Sequence, residues 1–148
     1  MRIAIGFDHA GTPLRDVVFE AVAAEGHEPV DVGDQDDYPD TARDVGRAVV
    51  DGDCERGIVV CGSGAGVAVA ACKIEGIRAA VGHDTYTAHQ CVEHDDCNVL
   101  ALGARVIGPL IADACVRAFV GASFSGAERH VRRLAKVASM EREGLHRD

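Results

Sequence analysis

The segment 57–70, GIVVCGSGAGVAVA, decides the fold of this chain. It begins with an unbroken apolar run bounded by glycine, which is typical of a strand covered by helices on both faces. The run ends in Cys61, and three glycines then alternate with small residues before a helical pattern begins. Glycine amides at the start of a helix can contact a small anion, because no side chain shields them. The segment therefore predicts a buried strand, a tight turn open to a charged ligand, and a helix.

The rest of the chain repeats this alternation of strand and helix. Short apolar strands alternate with segments whose apolar residues recur at helical spacing. Such repetition predicts a parallel sheet with right-handed crossovers and helices on both faces. We expect a three-layer Rossmann-like α/β fold, with a five-stranded parallel sheet in the order 2-1-3-4-5 and an extra C-terminal helix. The predicted strands are 2–7, 28–33, 56–61, 77–82 and 98–103, and the predicted helices are 12–26, 41–50, 66–74, 84–93, 110–119 and 127–143.

Composition and charge narrow the class of protein. The chain has 148 residues, of which 47% are hydrophobic and 26% charged, so we expect one globular domain over residues 1–148. The net charge of −9 argues against a nucleic acid or an anionic membrane as partner, because binding phosphates along a surface needs clustered Lys and Arg. The first residues lead directly into a strand, so we expect no signal peptide, no membrane span and a cytoplasmic location. The six cysteines are expected to be reduced thiols, because a core of this size needs no disulfides.

Two loops carry most of the chemistry, and the predicted topology places them side by side. Ligands of such folds bind beyond the carboxyl ends of the strands, where the strand order reverses. That point lies between strands 1 and 3. The loop after strand 1 contains Asp8 and His9 in DHAG, and the loop after strand 3 is CGSGAG.

The glycine loop matches neither common nucleotide fingerprint, since Val67 stands at the third glycine position and no lysine follows. What remains is a thiol beside a ring of amides. A thiolate can form at a helix N-terminus, and the amides can hold an oxyanion. Such a base and cradle suit removal of a proton α to a carbonyl, with Cys61 as base and His94 expected at the same carboxyl edge. Arg129 and Arg133, four residues apart on the last helix, are a candidate phosphate clamp.

Six segments together resemble the type B ribose-5-phosphate isomerase family, whose relatives include the galactose-6-phosphate and allose-6-phosphate isomerases. They follow one another in the family's order over nearly the whole chain: GFDHAG, DYPD, VCGSGAGVAVAACK, GIRAAV, HDDCNVLALGARVIG and ERHVRRL. The resemblance implies an aldose–ketose isomerase of an open-chain sugar phosphate, with ribose 5-phosphate as the expected substrate and no metal or organic cofactor. It also implies a homodimer or homotetramer in which a neighbouring subunit completes each site.

The resemblance also implies a role for each matching residue. Cys61 would move a proton between C2 and C1, Ser63 would assist at the substrate oxygens, and His94 would open the sugar ring as proton donor. The amides of the glycine loop would hold the enediolate intermediate. The implied substrate-binding residues are Asp8, His9, Tyr38, Gly62, Gly64, Ala65, Gly66, Asp95, Arg105, Arg129 and Arg133, the three arginines gripping the phosphate.

Several positions depart from the family pattern. Val67 stands where some members have a glutamate base, so Cys61 keeps that role. Asp95 replaces a common asparagine and adds a negative charge near the substrate, and Cys72 replaces another asparagine. These changes concern substrate choice more than reaction type. A tetrose or hexose phosphate therefore stays open as substrate, and so do a non-catalytic sugar-phosphate-binding protein and a redox protein using Cys61.

The remaining histidines and cysteines have simpler interpretations. Those of segment 83–97 resemble a metal site in composition, but their spacing matches no standard zinc pattern, so we expect no metal. His27, His130 and His146 are expected at the surface. Tyr38 is expected in the wall of the pocket, because such loops often carry functional residues.

Overall fold

A computed structural model describes residues 1–144, so His146 lies outside the described residues. It contains a five-stranded sheet in which all neighbouring strands are parallel. The strands are β1 (Arg2–Asp8), β2 (Glu28–Gln35), β3 (Arg56–Cys61), β4 (Ala79–Val81) and β5 (Val99–Gly103). The helices are α1 (Arg15–Ala24), α2 (Tyr38–Val50), α3 (Ala65–Ala71), α4 (Thr85–Asp95), α5 (Pro109–Gly121) and α6 (Glu128–Glu143).

The expected fold class is confirmed, but the last two strands exchange places. The sheet order is β2-β1-β3-β5-β4 rather than 2-1-3-4-5. β5 lies between its neighbours, pairing Gly103 with Cys61 of β3 and Val99 with Ala79 of β4. Burial explains this order. All five residues of β5 are buried, whereas the three of β4 are half-buried, so β5 lies inside the sheet and β4 at its edge.

Helices cover both faces of the sheet and divide the core into two clusters. The cluster under α1, α4 and α5 contains the large side chains, including Phe7 and Phe119. The cluster under α2 and α3 consists mainly of Ala and Val and includes Cys61. Successive residues of β1 alternate between the two, with Ile3 and Ile5 in the first and Ala4 in the second. An apolar run buried on both faces produces this pattern.

Two further expectations concern the cysteines, as reduced thiols, and the helices, as too short or too polar to span a membrane. All six cysteines are free, and five of them are buried while Cys72 is exposed. Within residues 1–144, no helix combines the length and the apolar character that crossing a membrane requires.

Two helices begin elsewhere than expected. α2 begins at Tyr38 rather than Thr41, with Pro39 in its first turn. Proline fits this position because the first N–H groups of a helix have no partner inside it. Thr12 and Pro13 form a short 3₁₀ turn, and α1 begins at Arg15. Tyr38 is therefore fixed on a helix rather than in a loop.

The loops after β1 and β3 lie side by side, as the topology predicts, and Gly11 of the first loop packs against the end of β3. A Cβ atom at Gly11 would lie 2.6 Å from the carbonyl carbon of Val60 and 3.2 Å from the amide nitrogen of Cys61. Glycine is required here because any side chain would overlap the backbone of β3. The first loop consequently lies directly against the end of β3.

Replacing Gly11 with Ala should therefore lower the free energy of unfolding by about 2 kcal/mol or more, because the added methyl group meets backbone that is held in the sheet. Urea denaturation measures this change. The matched control is Gly121→Ala, where a Cβ atom would meet nothing within 4 Å, and its effect should stay within about 1 kcal/mol. Equal stability of the two variants would contradict the packing at Gly11.

Candidate active site

Cys61 is the last residue of β3, and the loop that follows holds its sulfur. The N–H group of Gly64 donates a hydrogen bond to Cys61 Sγ over 3.1 Å. Gly64 has a φ of 79°, a left-handed conformation that glycine adopts without strain and that turns its amide back toward the sulfur. Cys61 is 4% exposed, so its thiol is almost closed off from solvent and is in contact with a backbone donor. Such a donor can stabilise negative charge on the acceptor.

The glycine loop presents further N–H groups that a ligand can reach. The amide of Ala65 donates to Ser63 Oγ over 3.2 Å, and that of Gly64 is engaged by Cys61. The other three have no acceptor within residues 1–144: those of Gly62, Ser63 and Gly66. Unpaired amides that point from a tight turn form a site for an anionic oxygen.

Arg105 lies over this loop because β5 is adjacent to β3. Its backbone N–H donates to the carbonyl oxygen of Gly62 over 3.0 Å. Its guanidinium Nη1 lies 3.3 Å from the place that a Cβ atom of Gly62 would occupy. Arg105 is exposed, and no ion pair among the described residues includes it. A cation with no ion-pair partner among residues 1–144 therefore stands beside the loop that carries the unpaired amides.

Asp8 ends β1, His9 follows it, and both lie on the other side of β3. Asp8 is buried, and its Oδ1 accepts hydrogen bonds from the amides of Ala10 and Gly11, both with a donor–acceptor distance of 2.9 Å. His9 is exposed, with Nδ1 2.9 Å from the carbonyl oxygen of Asp36. One carboxylate oxygen of Asp8 thus shapes its own loop, and the loop presents the imidazole of His9 at the carboxyl edge of the sheet.

Tyr38 borders the glycine loop from α2. A Cβ atom at Gly66 would lie 3.1 Å from two carbons of the tyrosine ring, so the ring packs directly on this glycine. Tyr38 is nevertheless 45% exposed. Its remaining surface is available to line a pocket above the loop.

His94 lies in a second cluster at the opposite edge of the sheet, so the expectation that it joins Cys61 at the carboxyl edge is wrong within one chain. α4 starts beyond the end of β4 and runs back to the amino edge, where His94 occupies its last turn. Arg78, which precedes β4, fixes this end by donating from Nε to the carbonyl oxygens of Asp95 and Asp96. The length of β3 alone separates the two edges by roughly 17 Å.

Arg129 and Arg133 accompany His94 at this edge. Both are exposed on α6, and no ion pair among residues 1–144 includes either. The imidazole of His94 lies against that of His130, with ring centroids 4.1 Å apart. Contrary to expectation, His130 is 2% exposed, because it packs under His94 and its Nδ1 lies 2.6 Å from Ser125 Oγ. Burial, then the neighbouring His94 and the two arginines, lower the pKa of His130.

The expected site residues therefore form two groups. We call the first the thiol cluster: Asp8, His9, Tyr38, Cys61, Gly62, Ser63, Gly64, Ala65, Gly66 and Arg105. We call the second the imidazole cluster: His94, Asp95, Arg129 and Arg133. The first group contains one arginine and the second two, and none of the three has a carboxylate partner in the described part of the chain, although the whole protein is acidic.

Sequence reasoning did not include His83 in the site. Its Nε2 accepts a hydrogen bond from the amide of Gly103 over 2.8 Å, beside the glycine loop. The signal that could have found it is its position, since it follows β4 by two residues and so lies at the carboxyl edge.

The other histidines and cysteines of segment 83–97 do not converge with His83. Among residues 1–144, no three or more His, Cys, Asp or Glu side chains form a group that could hold a metal ion.

Comparison with known families shows which family the chain belongs to. Residues 3–137 match the model of the family described as Ribose/Galactose Isomerase. The chain belongs to this family. It is therefore an isomerase.

Known relatives of the isomerase align over most of their length. It is 38% identical to ribose-5-phosphate isomerase B of Escherichia coli (strain K12) over 144 residues, which cover 95% of this chain and 96% of that protein. It is 39% identical to D-erythrulose-4-phosphate isomerase of Pectobacterium atrosepticum over 131 residues, 85% of this chain and 86% of that protein. The solved structure of ribose-5-phosphate isomerase B from Clostridium thermocellum superposes with a TM-score of 0.92 at 41% identity, covering 98% of this chain and 100% of that chain.

Replacing Asp8 with Ala should lower the free energy of unfolding by about 1–2 kcal/mol, because the half-buried amide of Ala10 loses its acceptor and the buried amide of Gly11 keeps only the backbone carbonyl of residue 8. Asp8→Asn should cost less than half as much, since its amide oxygen can still accept. Urea denaturation at neutral pH distinguishes the two. Asp51→Ala is the control at an exposed acid, and its effect should stay within about 0.5 kcal/mol. An Asp8→Ala variant as stable as this control would contradict the role of this carboxylate in holding its loop.

Proposed function

We propose that this isomerase interconverts an aldose phosphate and a ketose phosphate, with ribose 5-phosphate and ribulose 5-phosphate as its substrate pair. We further propose that residues 1–148 act as one isomerase domain. The observation that carries the proposal is the thiol of Cys61, held by the Gly64 amide at the end of β3 and bordered by unpaired amides and by Arg105.

The thiol cluster suits a proton transfer through an enediolate. In the open-chain aldose, the thiolate of Cys61 takes the proton from C2, and the electron pair of that bond moves toward the carbonyl. Negative charge then develops on the oxygens, where the free amides of Gly62, Ser63 and Gly66 can stabilise it. The same thiol returns the proton to C1, and the hydroxyl of Ser63 can pass the remaining proton between the two oxygens. One carbon is oxidised and its neighbour reduced, so the step needs no external electron carrier.

A second copy of the chain completes this site in our proposal. The imidazole cluster lies at the opposite edge of the sheet, so its His94, Arg129 and Arg133 do not reach Cys61 of the same chain. The three are at least partly exposed, and the arginines lack an ion-pair partner in the described residues. Contributed by a neighbouring subunit, His94 would open the sugar ring and the arginines would bind the phosphate.

Apolar side chains around the carboxyl edge support a shared site. Beyond the ends of β4 and β5, four large ones are exposed: Tyr86, Val106, Leu110 and Ile111. Large apolar side chains exposed together at one edge of a protein are typical of a protein–protein interface. Two-fold symmetry would then create two equivalent sites, each with one thiol cluster and one imidazole cluster. We propose a homodimer, or a homotetramer built from such dimers.

A four-carbon sugar phosphate is the second candidate substrate. The chain is 39% identical to the D-erythrulose-4-phosphate isomerase and 38% identical to the ribose-5-phosphate isomerase B of Escherichia coli, so sequence identity does not favour either substrate. A tetrose 4-phosphate cannot close a five-membered ring, because its O4 is esterified. Ring opening by His94 would then be dispensable. The effect of His94→Gln therefore distinguishes the two substrates, since it should slow turnover of a pentose phosphate and spare that of a tetrose phosphate.

Replacing Cys61 with Ala should lower kcat/KM about 10³-fold, because a general base contributes roughly two to four orders of magnitude. The assay is a coupled screen over aldose and ketose phosphates of four, five and six carbons, with binding of the best substrate measured separately. Cys72→Ala, at an exposed thiol of the same chain, is the control and should show no loss of this size for the best substrate. Full activity of Cys61→Ala would contradict the base, and no turnover of any sugar phosphate by the unmodified protein would contradict the proposed function.

Mixing two inactive variants tests the shared site. After subunit exchange, a one-to-one mixture of Cys61→Ala and His94→Gln should regain about a quarter of the native pentose-phosphate activity, since half of the dimers are mixed and each has one intact site of two. A mixture of Cys61→Ala with Cys61→Ser is the control and should stay inactive. If the first mixture also stays inactive while both variants form native-sized oligomers, the two clusters do not belong to one site.

A further inference from the structure

His83 occupies a place in the sheet where a strand is missing. β4 ends at Val81, and the ladder to β5 continues only as far as the bond from the amide of Gly82 to the carbonyl oxygen of Ala101. Directly after β5, the amide of Ala104 donates to the carbonyl oxygen of Cys61 at the end of β3. Successive N–H groups of a strand point to opposite sides, so the amide of Gly103 points toward the side of β4, where no backbone acceptor remains. The imidazole Nε2 of His83 accepts it instead over 2.8 Å.

Gly103 is in direct contact with the loop that carries the chemistry. A Cβ atom there would lie 2.6 Å from the carbonyl oxygen of Ser63 and 2.8 Å from its Cα, so only glycine allows the two backbones to approach this closely. His83 touches the same loop. Its Nε2 lies 3.3 Å from the place that a Cβ atom of Gly64 would occupy. The ring therefore holds Gly103 and borders Gly64, the residue whose amide binds Cys61 Sγ.

The hydrogen bond determines the protonation state of the ring. A backbone N–H group can only donate, so Nε2 of His83 is unprotonated and the neutral ring carries its hydrogen on Nδ1. A proton on Nε2 would place two donors against each other and break the bond. Since Gly103 is two residues before Arg105, whose guanidinium lies over Gly62, the loss would loosen both the loop and its cation.

We propose that neutral His83 is a positioning residue of the isomerase, which holds Gly103 and the glycine loop in the geometry that supports catalysis and releases them when it is protonated. This inference rests on the proposed function for its effect on turnover, but not for the hydrogen bond itself. The imidazole binds the backbone of Gly103 and not the sulfur of Cys61, so its effect on the reaction is exerted through the backbone.

The surroundings of the ring favour its neutral form near neutral pH. Burial lowers the pKa of His83, and the carboxylate of Asp84 in the same turn acts in the opposite direction. Asp84 is itself engaged as the N-cap of α4, accepting from the amide and the hydroxyl of Thr87. The glycine loop and the end of β5 contact the ring through backbone atoms, which carry no charge. The titratable side chains of these two segments are those of Cys61 and Arg105. Acidification below the ordinary imidazole pKa is therefore what would break the bond.

Two variants separate positioning from mere stability. His83→Gln places an amide oxygen near the position of Nε2 and can accept from Gly103 at any pH, whereas His83→Phe keeps the bulk and removes the acceptor. We expect kcat of His83→Gln at pH 8 within about threefold of the native value, with less loss on acidification to pH 5.5. We expect kcat of His83→Phe to fall about tenfold or more at every pH, because displaced catalytic groups cost at least this much. His27→Gln, at the amino edge, is the control and should keep the native pH profile.

A measurement without substrate tests the hydrogen bond independently of turnover. In the native protein, the amide NMR signals of Gly103 and Gly64 should shift with the same midpoint as the ring carbons of His83 between pH 5 and 8. In both variants this step should be absent. Amide signals that do not follow the ring, or a His83→Gln variant with the native acid limb, would overturn the proposal. If no sugar phosphate is turned over at all, the proposed function fails, and the amide titration alone decides whether His83 controls the loop.

Discussion

Direct contact between backbones at the carboxyl ends of three neighbouring strands is the constraint on which the site depends. Gly11 lies against Val60, and Gly103 lies against Ser63, at distances that exclude any Cβ atom. The two contacts lie on either side of Cys61 at the end of β3. Close-packed backbone deforms little, because neighbouring groups leave no room to move. The loop amides and the sulfur are thereby held in a fixed relation before any ligand arrives, which reduces the reorganisation that charge development in a reaction would otherwise require.

The distribution of charge follows from the same architecture. The chain carries a net charge of −9, yet the arginines of the thiol and imidazole clusters have no carboxylate partner among the described residues. Other arginines are neutralised locally, as Arg15 is by Asp31 and Asp34. A cation left unpaired on an acidic protein attracts small anions without attracting polyanions, whose binding would need a continuous basic surface. This selectivity agrees with an enzyme that acts on a small phosphorylated metabolite.

Much of this architecture was predictable from the pattern of residues. The unbroken apolar runs of β1 and β3 identify strands buried on both faces, and the order of strands and helices implies parallel pairing. The glycine spacing after Cys61 predicted a tight turn whose amides are open to a small anion. Prediction failed where the outcome depends on tertiary contacts. The order of β4 and β5 depends on which strand buries more surface. His130 is buried because it packs under His94 and beside Ser125.

The sequence by itself determined the fold class, the parallel sheet and the residues of the glycine loop, because apolar periodicity and glycine placement act over a few neighbouring positions. The tertiary structure alone decided which distant residues meet. It placed Arg105 over Gly62 by setting β5 beside β3, gave the amide of Gly103 to His83, and separated His94 from Cys61 by the length of the sheet. These outcomes depend on strand order and on the direction in which α4 returns. Neither is encoded in any short segment, since both follow from how the whole chain buries its apolar surface.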